Sequence, residues 1–404
     1  MRAFIEQQFD RHRHHFEQGG RYARFYPLFE LQETFFLTLD ERTKQGAHVR
    51  DPMDMKRLMI FVVFAILPAM VFGMWNTGYQ GFLYEGVEAP GVFESFLRGA
   101  WHMLPIIVVS YAVGGFWEMI FAVVRKHEIN EGFLVTGMLF PLILAPTTPL
   151  WMVAMGISFG IVIGKEVFGG VGMNILNPAL TARAFVFFAY PAAISGDRIW
   201  DVAGESNPLT ETGAVVDAYT GATPLLAVAN APRGTDPLDA LDAYGWSFLD
   251  LFFGVIPGSL AETSALACLL GVLFLIVTGI GSWRIVVSCI GGLAAMTLVL
   301  NLLAGPESMA FMHLPFHYHL VMGGFAFGVA YMATDPVSAT LTHTGMWIYG
   351  FLIGVLTALI RVVNPAFPEG VMLAILFMNV FAPLIDYYVI RRTTRSRRAR
   401  LEAA

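Results

Sequence analysis

Residues 58–75 read LMIFVVFAILPAMVFGMW, a stretch of apolar residues that contains no charged side chain. A helix needs roughly 17–25 such residues to cross the ~30 Å hydrocarbon core of a bilayer. The rest of the chain has the same character, because 56% of its 404 residues are hydrophobic and only 14% are charged. Soluble domains carry about 25% charged residues. The sequence therefore predicts an all-α integral membrane protein.

Further apolar stretches follow the first and give about ten predicted transmembrane helices. The predicted spans are Leu58–Trp75, Met103–Val124, Gly132–Thr147, Leu150–Gly164, Pro178–Ile194, Ala265–Ile280, Trp283–Ala304, Leu320–Ala333, Met346–Ile360 and Met372–Ile390. Several are short for a full crossing. Short segments at membrane depth are typical of helices that are broken around a buried site.

The charged residues predict how the chain is oriented in the membrane. Lys56 and Arg57 precede the first predicted span, and six arginines lie between positions 391 and 400, after the last one. The segment 192–250 instead carries nine acidic residues and two arginines. Positively charged flanks stay on the cytoplasmic side. Both termini are therefore expected in the cytoplasm, and segment 192–250 outside.

These assignments divide the chain into five predicted regions. They are a cytoplasmic arm 1–57, a first five-helix repeat 58–195, a periplasmic segment 196–250, a second five-helix repeat 251–390 and a basic cytoplasmic tail 391–404.

The two predicted repeats contain related strings. The first runs through Gly132-Phe133, Trp151, Lys165 and Asn177-Pro178-Ala179, and the second through Gly324-Phe325, Trp347, Arg361 and Asn364-Pro365-Ala366. In both strings the cation comes fourteen residues after the tryptophan. Since each half has five spans, an odd number, the two repeats must have opposite topology. Inverted repeats place a binding site near the membrane midplane, at the interface between the halves.

The loop between Lys165 and Pro178 is rich in glycine and carries two asparagines. Asn174 and Asn177 offer amide donors and acceptors three residues apart, and the glycines allow backbone to approach a ligand. This chemistry suits a flat heterocycle with carbonyl and imide edges. A re-entrant turn without any ligand would have a similar composition, and this alternative stays open.

Residues 217–223 read DAYTGAT and, taken alone, are typical of a turn that leads into an apolar stretch. The string also resembles the Asp-x-x-(Ser/Thr)-Gly-Ala-Thr motif found in the B subunits of the Na⁺-translocating NADH:quinone oxidoreductases. Further strings that resemble the same family are Asn130-Glu131-Gly132-Phe133, Lys165–Gly170, Met332-Ala333-Thr334-Asp335-Pro336 and Arg361–Ala366. The resemblance covers nearly the full length of the chain, although Gly204–Val216 looks like an insertion.

The resemblance implies a function. A family member of this kind works with five partners, the A, C, D, E and F subunits, in the inner membrane of a bacterium. The complex passes electrons from NADH to ubiquinone and pumps Na⁺. The resemblance further implies an architecture similar to urea and ammonium transporters, FMN joined to Thr223 (rather than Thr220) as a phosphoester, and non-covalent riboflavin, for which Asn174 and Asn177 are the candidates.

Two glycines in the second predicted span, Gly114 and Gly115, match the quinone-pocket glycines of that family. Close packing between helices also favours small residues, so the match by itself leaves a purely structural role open.

Three acidic residues in or at the ends of predicted spans are candidates for a sodium pathway: Glu118, Asp335 and Asp386. A carboxylate inside the membrane costs free energy and therefore suggests a function. Hard oxygen ligands of this kind suit Na⁺. The alternative for Glu118 and Asp386 is that they merely reach toward the membrane surface, or pair there with Arg125 or Arg391.

Cofactors would carry the redox chemistry, so no catalytic side chain is assigned. No metal site and no nucleic-acid partner are predicted. Two other functions stay open: the D subunit of the related ferredoxin:NAD⁺ complex of the Rnf type, and a transporter or channel for a small solute without a redox role. The sequence does not distinguish Na⁺ from H⁺ as the pumped ion.

Overall fold

The computed structural model describes residues 2–17, 20–26, 29, 33, 55–87, 89–126, 132–194, 199–200, 202, 221–364 and 368–403. All regular secondary structure within these ranges is helical. Six of the described helices are long and apolar enough to cross a membrane, and three shorter apolar helices accompany them. The prediction of an all-α membrane protein is confirmed.

In the first half of the chain the helices are α1 Arg2–Phe16, α2 Met55–Tyr84, α3 Val92–Arg125, α4 Gly132–Leu142, α5 Leu150–Val162, α6 Pro178–Ala189 and α7 Pro191–Ile194. Short 3-10 turns occupy Ala23–Phe25 and Glu166–Phe168. The long helices here are α2, α3 and α5, and the shorter apolar ones are α4 and α6.

In the second half the helices are α8 Pro224–Asn230, α9 Pro237–Asp242, α10 Phe248–Phe253, α11 Ala265–Val277, α12 Trp283–Leu303, α13 Ala310–His313, α14 Phe316–Val321, α15 Phe325–Phe327, α16 His343–Val363 and α17 Val371–Ala403. A π-helical turn, Gly328–Met332, follows α15 directly. The long helices here are α12, α16 and α17.

Two predicted spans differ from the structure in a way that positions the site. The span predicted at Leu320–Ala333 is not one helix, because the chain is interrupted between α14 and α15 at Gly323, whose φ is +66°. The span predicted at Gly132–Thr147 ends already at Leu142, and irregular backbone follows. Both are helices broken inside the fold.

One of these breaks contacts a second irregular segment across the two halves. The backbone N–H of Leu260 donates to the carbonyl of Leu144 at 3.1 Å, and that of Ala261 donates to Leu142 at 3.0 Å. Backbone without a helical partner must be satisfied inside a membrane protein. The two halves therefore join where their helices are interrupted.

Close glycine contacts bring the long helices together within each half. A Cβ at Gly99 of α3 would overlap the Met74 carbonyl of α2, and a Cβ at Gly354 of α16 would overlap the Cys289 carbonyl of α12. Small residues allow this approach, which drives helix association in lipid.

Candidate functional site

Within the described residues, two of the cavities are lined by both halves of the chain, and we name each after the predicted site residue that lines it. The Thr223 cleft is lined by Arg183, Phe187, Ile194, Trp200, Thr223, Pro224, Leu225, Leu226, Ile256, Pro257, Gly258, Ser259, Glu262, Thr263, Gly323, Gly324, Pro368 and Glu369. Its walls come from α6 and α8, the segment before α11, the break after α14 and the residues that precede α17.

Thr223 begins helix α8 from a half-buried position on this cleft. Its Oγ1 accepts a hydrogen bond from the backbone N–H of Leu226 at 3.3 Å, and Pro224 occupies the first helical position, as N-terminal capping favours. The capping bond uses a lone pair of the oxygen and leaves its hydrogen replaceable. Residues 217–220 of the motif, including Thr220, lie outside the described residues.

A buried charge cluster faces the same cleft. Arg183 on α6 contacts both carboxylate oxygens of Glu262 at 3.3 Å through Nη1, and contacts Glu369 Oε2 at 2.6 Å through Nη2. Arg183 and Glu262 are nearly inaccessible to solvent. Sequence reasoning missed this cluster. The available signal was Arg183 itself, a charged residue inside the predicted span Pro178–Ile194. Burying a charge in a membrane costs free energy, so such residues often mark functional sites.

Two glycines allow this cluster and α8 to approach the break after α14. A Cβ at Gly324 would overlap the Glu262 carboxylate, and one at Gly323 would overlap the side chain of Leu225. Gly323 also has a left-handed backbone conformation, which residues with a Cβ rarely adopt. A larger residue at Gly324 would therefore displace Glu262, and one at Gly323 would displace Leu225, from the wall of the cleft.

Arg361, the second-half counterpart of Lys165 in the repeated strings, is wholly buried behind the cleft. Its guanidinium donates to the carbonyl oxygens of His319 at 2.7 Å and Met322 at 2.9 Å, while Nε donates to that of Glu369 at 3.3 Å. Arg361 thus satisfies backbone that the interruption between α14 and α15 leaves without helical hydrogen bonds.

The second cavity is the Asn174 pocket. It is lined by Leu58, Met59, Val62, Gly132, Val135, Thr136, Leu139, Lys165, Val171, Asn174, Asn177, Pro178, Leu275, Ile280, Gly281, Tyr331, Thr334, Asp335, Pro336 and Val337. Apolar walls with a few convergent polar groups are typical of pockets for flat organic ligands.

Asn174 and Asn177 both line this pocket, but part of each amide is engaged in holding the chain. Asn177 Oδ1 caps helix α6 by accepting from the N–H groups of Ala179 at 3.0 Å and Leu180 at 3.3 Å. The Asn174 amide nitrogen donates to the Leu176 carbonyl at 3.0 Å. Within the described chain, the Asn177 amide nitrogen and the Asn174 Oδ1 make no hydrogen bond. One donor and one acceptor therefore remain, which complements the N–H and C=O of an imide edge.

The loop before Asn174 relies on glycine. Gly169, Gly170 and Gly172 have φ values of +122°, +97° and +87°, respectively. Only glycine adopts these conformations without strain. The backbone path of the loop that carries Lys165 and Asn174 therefore requires glycine at these three positions.

Four charges of alternating sign lie beside this pocket. Arg125 Nη1 contacts Glu166 Oε2 at 3.1 Å, Lys165 Nζ lies 3.8 Å from Glu166 Oε1, and Lys165 forms a close ion pair with Glu118 of α3. The alternative pairing of Glu118 with Arg125 is not among the ion pairs of the described residues, in which Arg125 contacts Glu166. Glu118 is buried inside the fold rather than reaching for the surface.

The other two acidic candidates accept hydrogen bonds from backbone. Asp335, which lines the Asn174 pocket, accepts from the N–H groups of Val337 at 3.3 Å and Ser338 at 3.2 Å, and from Ser338 Oγ at 2.6 Å. Asp386 of α17 accepts from the N–H groups of Leu341 at 2.8 Å and Thr342 at 3.1 Å, so it holds the start of α16. The alternative pairing of Asp386 with Arg391 is not among the ion pairs of the described residues.

The candidate quinone glycines on α3 differ from one another. A Cβ at Gly114 would lie 2.5 Å from Phe133 Cε2 and 3.0 Å from Ile157 Cγ1, so this residue is needed for packing. Among the described residues, a Cβ at Gly115 would meet only Phe133 Cε1, at an ordinary 3.6 Å. The two positions therefore face different surroundings, and the quinone assignment stays a prediction for both.

The candidates thus fall in separate places. The structure brings Asn174, Asn177 and Asp335 together around one pocket and places Thr223 on the other. Gly114 and Glu118 share the buried face of α3.

Comparison with known proteins adds a family and relatives. The sequence model of the NQR2, RnfD, RnfE family matches residues 42–395. The chain is 49% identical to a protein of Ectopseudomonas mendocina over 422 residues, 99% of both chains, and 49% identical to one of Stutzerimonas stutzeri over 423 residues, again 99% of both. It is 48% identical to a protein of Azotobacter vinelandii over 423 residues, with the same coverage. Each of these relatives is named as the B subunit of a Na(+)-translocating NADH-quinone reductase.

Proposed function

The chain belongs to the NQR2, RnfD, RnfE family, and from this premise we propose that it is the membrane-embedded B subunit of a sodium-pumping NADH:ubiquinone oxidoreductase. Electrons pass through FMN on Thr223 and through riboflavin to ubiquinone, coupled to Na⁺ translocation, and the A, C, D, E and F subunits complete the complex. The observation that carries the proposal is the near-full-length identity to relatives named for this activity.

The proposed architecture is two inverted five-helix repeats in a bacterial inner membrane, similar to urea and ammonium transporters, with both termini in the cytoplasm. Nine apolar helices within the described residues and the broken segment from α14 through the π-helical turn supply ten candidate crossings. The contact between interrupted segments at Leu142–Leu144 and Leu260–Ala261 supports a midplane interface between the repeats.

The residues around Thr223 fit a flavin attached there. Phe187 and Trp200 offer aromatic surface to the cleft, and Gly323 and Gly324 line it without side chains of their own. FMN would supply the electron carrier, and the chain would hold it by the Thr223 oxygen. Arg183, held in place by Glu262 and Glu369, would supply a positive charge at the wall of the cleft.

The Asn174 pocket fits riboflavin. Its one remaining donor and one remaining acceptor match the flavin imide edge, and its walls of Leu58, Met59 and Leu139 provide an apolar face for the rings. When bound, riboflavin would supply a second electron carrier. The roles of the chain are to orient the ring and to exclude water from it.

Ubiquinone and Na⁺ are proposed for the neighbouring part of α3. Gly115 leaves room beside Phe133 for a flat ring, whereas Gly114 supports the packing behind it. Glu118 is the strongest of the three acidic candidates, because its partner is a side chain, Lys165, that can move. Asp335 and Asp386, which accept from backbone N–H groups, are weaker candidates.

The alternatives differ from the proposal in observable ways. The D subunit of an Rnf-type complex belongs to the same family, but the three relatives described above, which match over full length, are named as B subunits of the NADH-quinone reductase. A transporter without a redox role would need no flavin.

Denaturing electrophoresis of the purified complex tests the proposal. We expect flavin fluorescence in the band of this chain, since a phosphoester survives denaturation, and Na⁺-stimulated reduction of ubiquinone by NADH before denaturation. A chain without bound flavin would support the transporter. Activity with ferredoxin instead of NADH and ubiquinone would support the Rnf-type complex.

A further inference from the structure

Helix α17 is longer than a membrane crossing requires. Its 33 residues, Val371–Ala403, extend over about 50 Å at a rise of about 1.5 Å per residue, whereas the hydrocarbon core of a bilayer is about 30 Å thick. Six arginines lie between positions 391 and 400, and all of them are exposed in the described chain. The helix therefore carries its arginines beyond the bilayer core and stays continuous with the span.

One face of α17 points away from the rest of the described chain, and we call it the outer face. Its exposed residues recur every three or four positions, as one side of a helix requires, and include Phe381, Leu384, Tyr388, Arg391, Arg395 and Arg398. Asp386, which accepts from the backbone N–H groups of Leu341 and Thr342, lies on the inner face. Arg395 follows Asp386 by about two and a half turns. The bonds of Asp386 therefore fix the rotation that turns these arginines outward.

The apolar part of the outer face has the composition of a lipid contact. Phe377, Phe381 and Leu384 are large side chains that are 53%, 38% and 47% exposed. Small residues, which let helices approach each other in lipid, lie on the inner face instead, where Ala374 and Ala382 are buried. Lipid acyl chains therefore fit the outer face better than a partner helix does.

The polar part of the outer face follows the layers of a leaflet. Tyr388 comes after the apolar residues, and tyrosine is enriched where hydrocarbon meets the headgroups. Arg391 and Arg395 lie about 4.5 Å and about 10 Å further along the helix axis. The headgroup layer is about 5–8 Å thick, and side chains of a helix lean back toward its N-terminus. Both guanidinium groups therefore come within reach of lipid phosphates.

We propose that Arg391, Arg395 and Arg398 form a binding site for anionic phospholipids in the leaflet where α17 leaves the membrane. The guanidinium groups donate to the phosphate oxygens, and the acyl chains lie along Leu384 and Phe381. Clusters of roughly four to eight basic residues beside a transmembrane helix bind anionic lipids in this way. The site goes beyond the proposed electron transfer and does not depend on which cofactors the chain carries.

A bound lipid would hold α17 at a fixed depth in the membrane. Because Asp386 joins α17 to the start of α16, the depth of one helix sets that of the other. The same helix begins beside Glu369, which lines the Thr223 cleft. The lipid site would therefore stabilise the second half of the chain from its membrane surface.

The test uses the whole complex in phosphatidylcholine vesicles that contain a small fraction of phosphatidylglycerol with a photoreactive acyl chain. The comparison lipid is phosphatidylcholine with the same photoreactive chain, and mass spectrometry of the α17 peptides measures the labelling by each. We expect the parent to be labelled more by phosphatidylglycerol. Arg391→Gln/Arg395→Gln should lower this excess about tenfold, because each arginine near an anionic headgroup contributes to the attraction.

The opposite face of α17 supplies the matched control. Arg397 and Arg400 follow Asp386 by about three and about four turns, so they lie on the inner face. Arg397→Gln/Arg400→Gln removes the same charge and should keep the parent's excess, and Arg391→Lys/Arg395→Lys should keep most of it. If Arg391→Gln/Arg395→Gln does not insert, Arg395→Gln alone leaves the arginine next to the span in place and should still lower the excess about threefold.

Four results would overturn the proposal. Equal labelling of the parent by both lipids would show no preference for the anionic headgroup, and labelling by neither would show that a partner helix covers the outer face. An unchanged excess in the outer-face variants would exclude these arginines. An equal loss in the outer-face and inner-face double variants would indicate an effect of net charge rather than a site.

Discussion

Lys165 and Arg361 occupy equivalent places in the two repeated strings, each fourteen residues after a tryptophan, yet they are satisfied in different ways. Lys165 lies between the carboxylates of Glu118 and Glu166. Arg361 donates to three backbone carbonyls and is buried completely. One cation is held by carboxylates, and the other by three main-chain carbonyls together with the His319 ring, whose Nδ1 lies 3.1 Å from Arg361 Nη1.

The difference indicates two kinds of region. Backbone carbonyls at a helix break are a permanent part of the fold, and the planar fork of arginine can satisfy several at once. A carboxylate can accept either an ammonium or a metal ion. We therefore expect the region around Arg361 and the Thr223 cleft to be rigid and to carry the covalent cofactor. The region around Lys165 and the Asn174 pocket is expected to bind its ligands reversibly.

The largest expected effect concerns the covalent cofactor. Thr223→Ala removes the only oxygen at this position that can form the ester, so covalent FMN should be lost entirely, while riboflavin in the Asn174 pocket is retained. In-gel fluorescence measures the first and extraction of free flavin the second. Thr220→Ala is the matched control and should keep FMN. Flavin that persists in Thr223→Ala and vanishes in Thr220→Ala would show that the attachment register is wrong.

A reciprocal exchange of the two cations tests the comparison directly. In Arg361→Lys, a single nitrogen replaces a fork that serves three carbonyls, and each buried acceptor left unsatisfied costs about 1–3 kcal/mol. Lys165→Arg keeps a charge beside Glu118 and should lose less stability. The measurement is the thermal midpoint of the purified complex for both variants. Equal losses would contradict the distinction between the two regions.

The reversible side is tested through riboflavin. Asn174→Leu and Asn177→Leu each remove a polar group proposed to bind the ring, a loss of about 1–3 kcal/mol, or roughly one to two decades in affinity. Covalent FMN should be unaffected. Asn177→Ser retains an oxygen that can cap α6 but has no amide, so riboflavin should still be weakened there. Unchanged riboflavin content and affinity in all three variants would contradict the assignment of Asn174 and Asn177 to riboflavin.

The smallest effect is expected at the quinone. Gly115→Val places two methyl groups in open space beside Phe133 and should raise the apparent KM for ubiquinone several-fold, with flavin reduction by NADH unchanged. Gly114→Val is the contrasting variant, because its side chain would clash with Phe133 and Ile157 and lower assembly instead. If Gly115→Val leaves KM unchanged, the pocket lies elsewhere.

Local composition explains how much of this could be predicted. Apolar runs predicted the long helices because burial in lipid is a property of a segment's own residues. The prediction of one helix over Leu320–Ala333 was wrong, because the helix is interrupted at Gly323 and the Arg361 side chain donates hydrogen bonds to the carbonyls at the break. The capping role of Asn177 was visible in Asn-Pro, the usual start of a helix, but it was interpreted only as ligand chemistry.

The sequence by itself determined the membrane class, the family resemblance and the residue proposed to carry FMN, because these reside in composition and in contiguous motifs. Only the tertiary structure decided which charges meet. Arg183 and Glu262 are 79 positions apart, and Glu118 and Lys165 are 47 apart. A buried charge requires a partner, but its identity depends on which helices pack together, and that packing is determined by the whole chain rather than by the residues next to the charge.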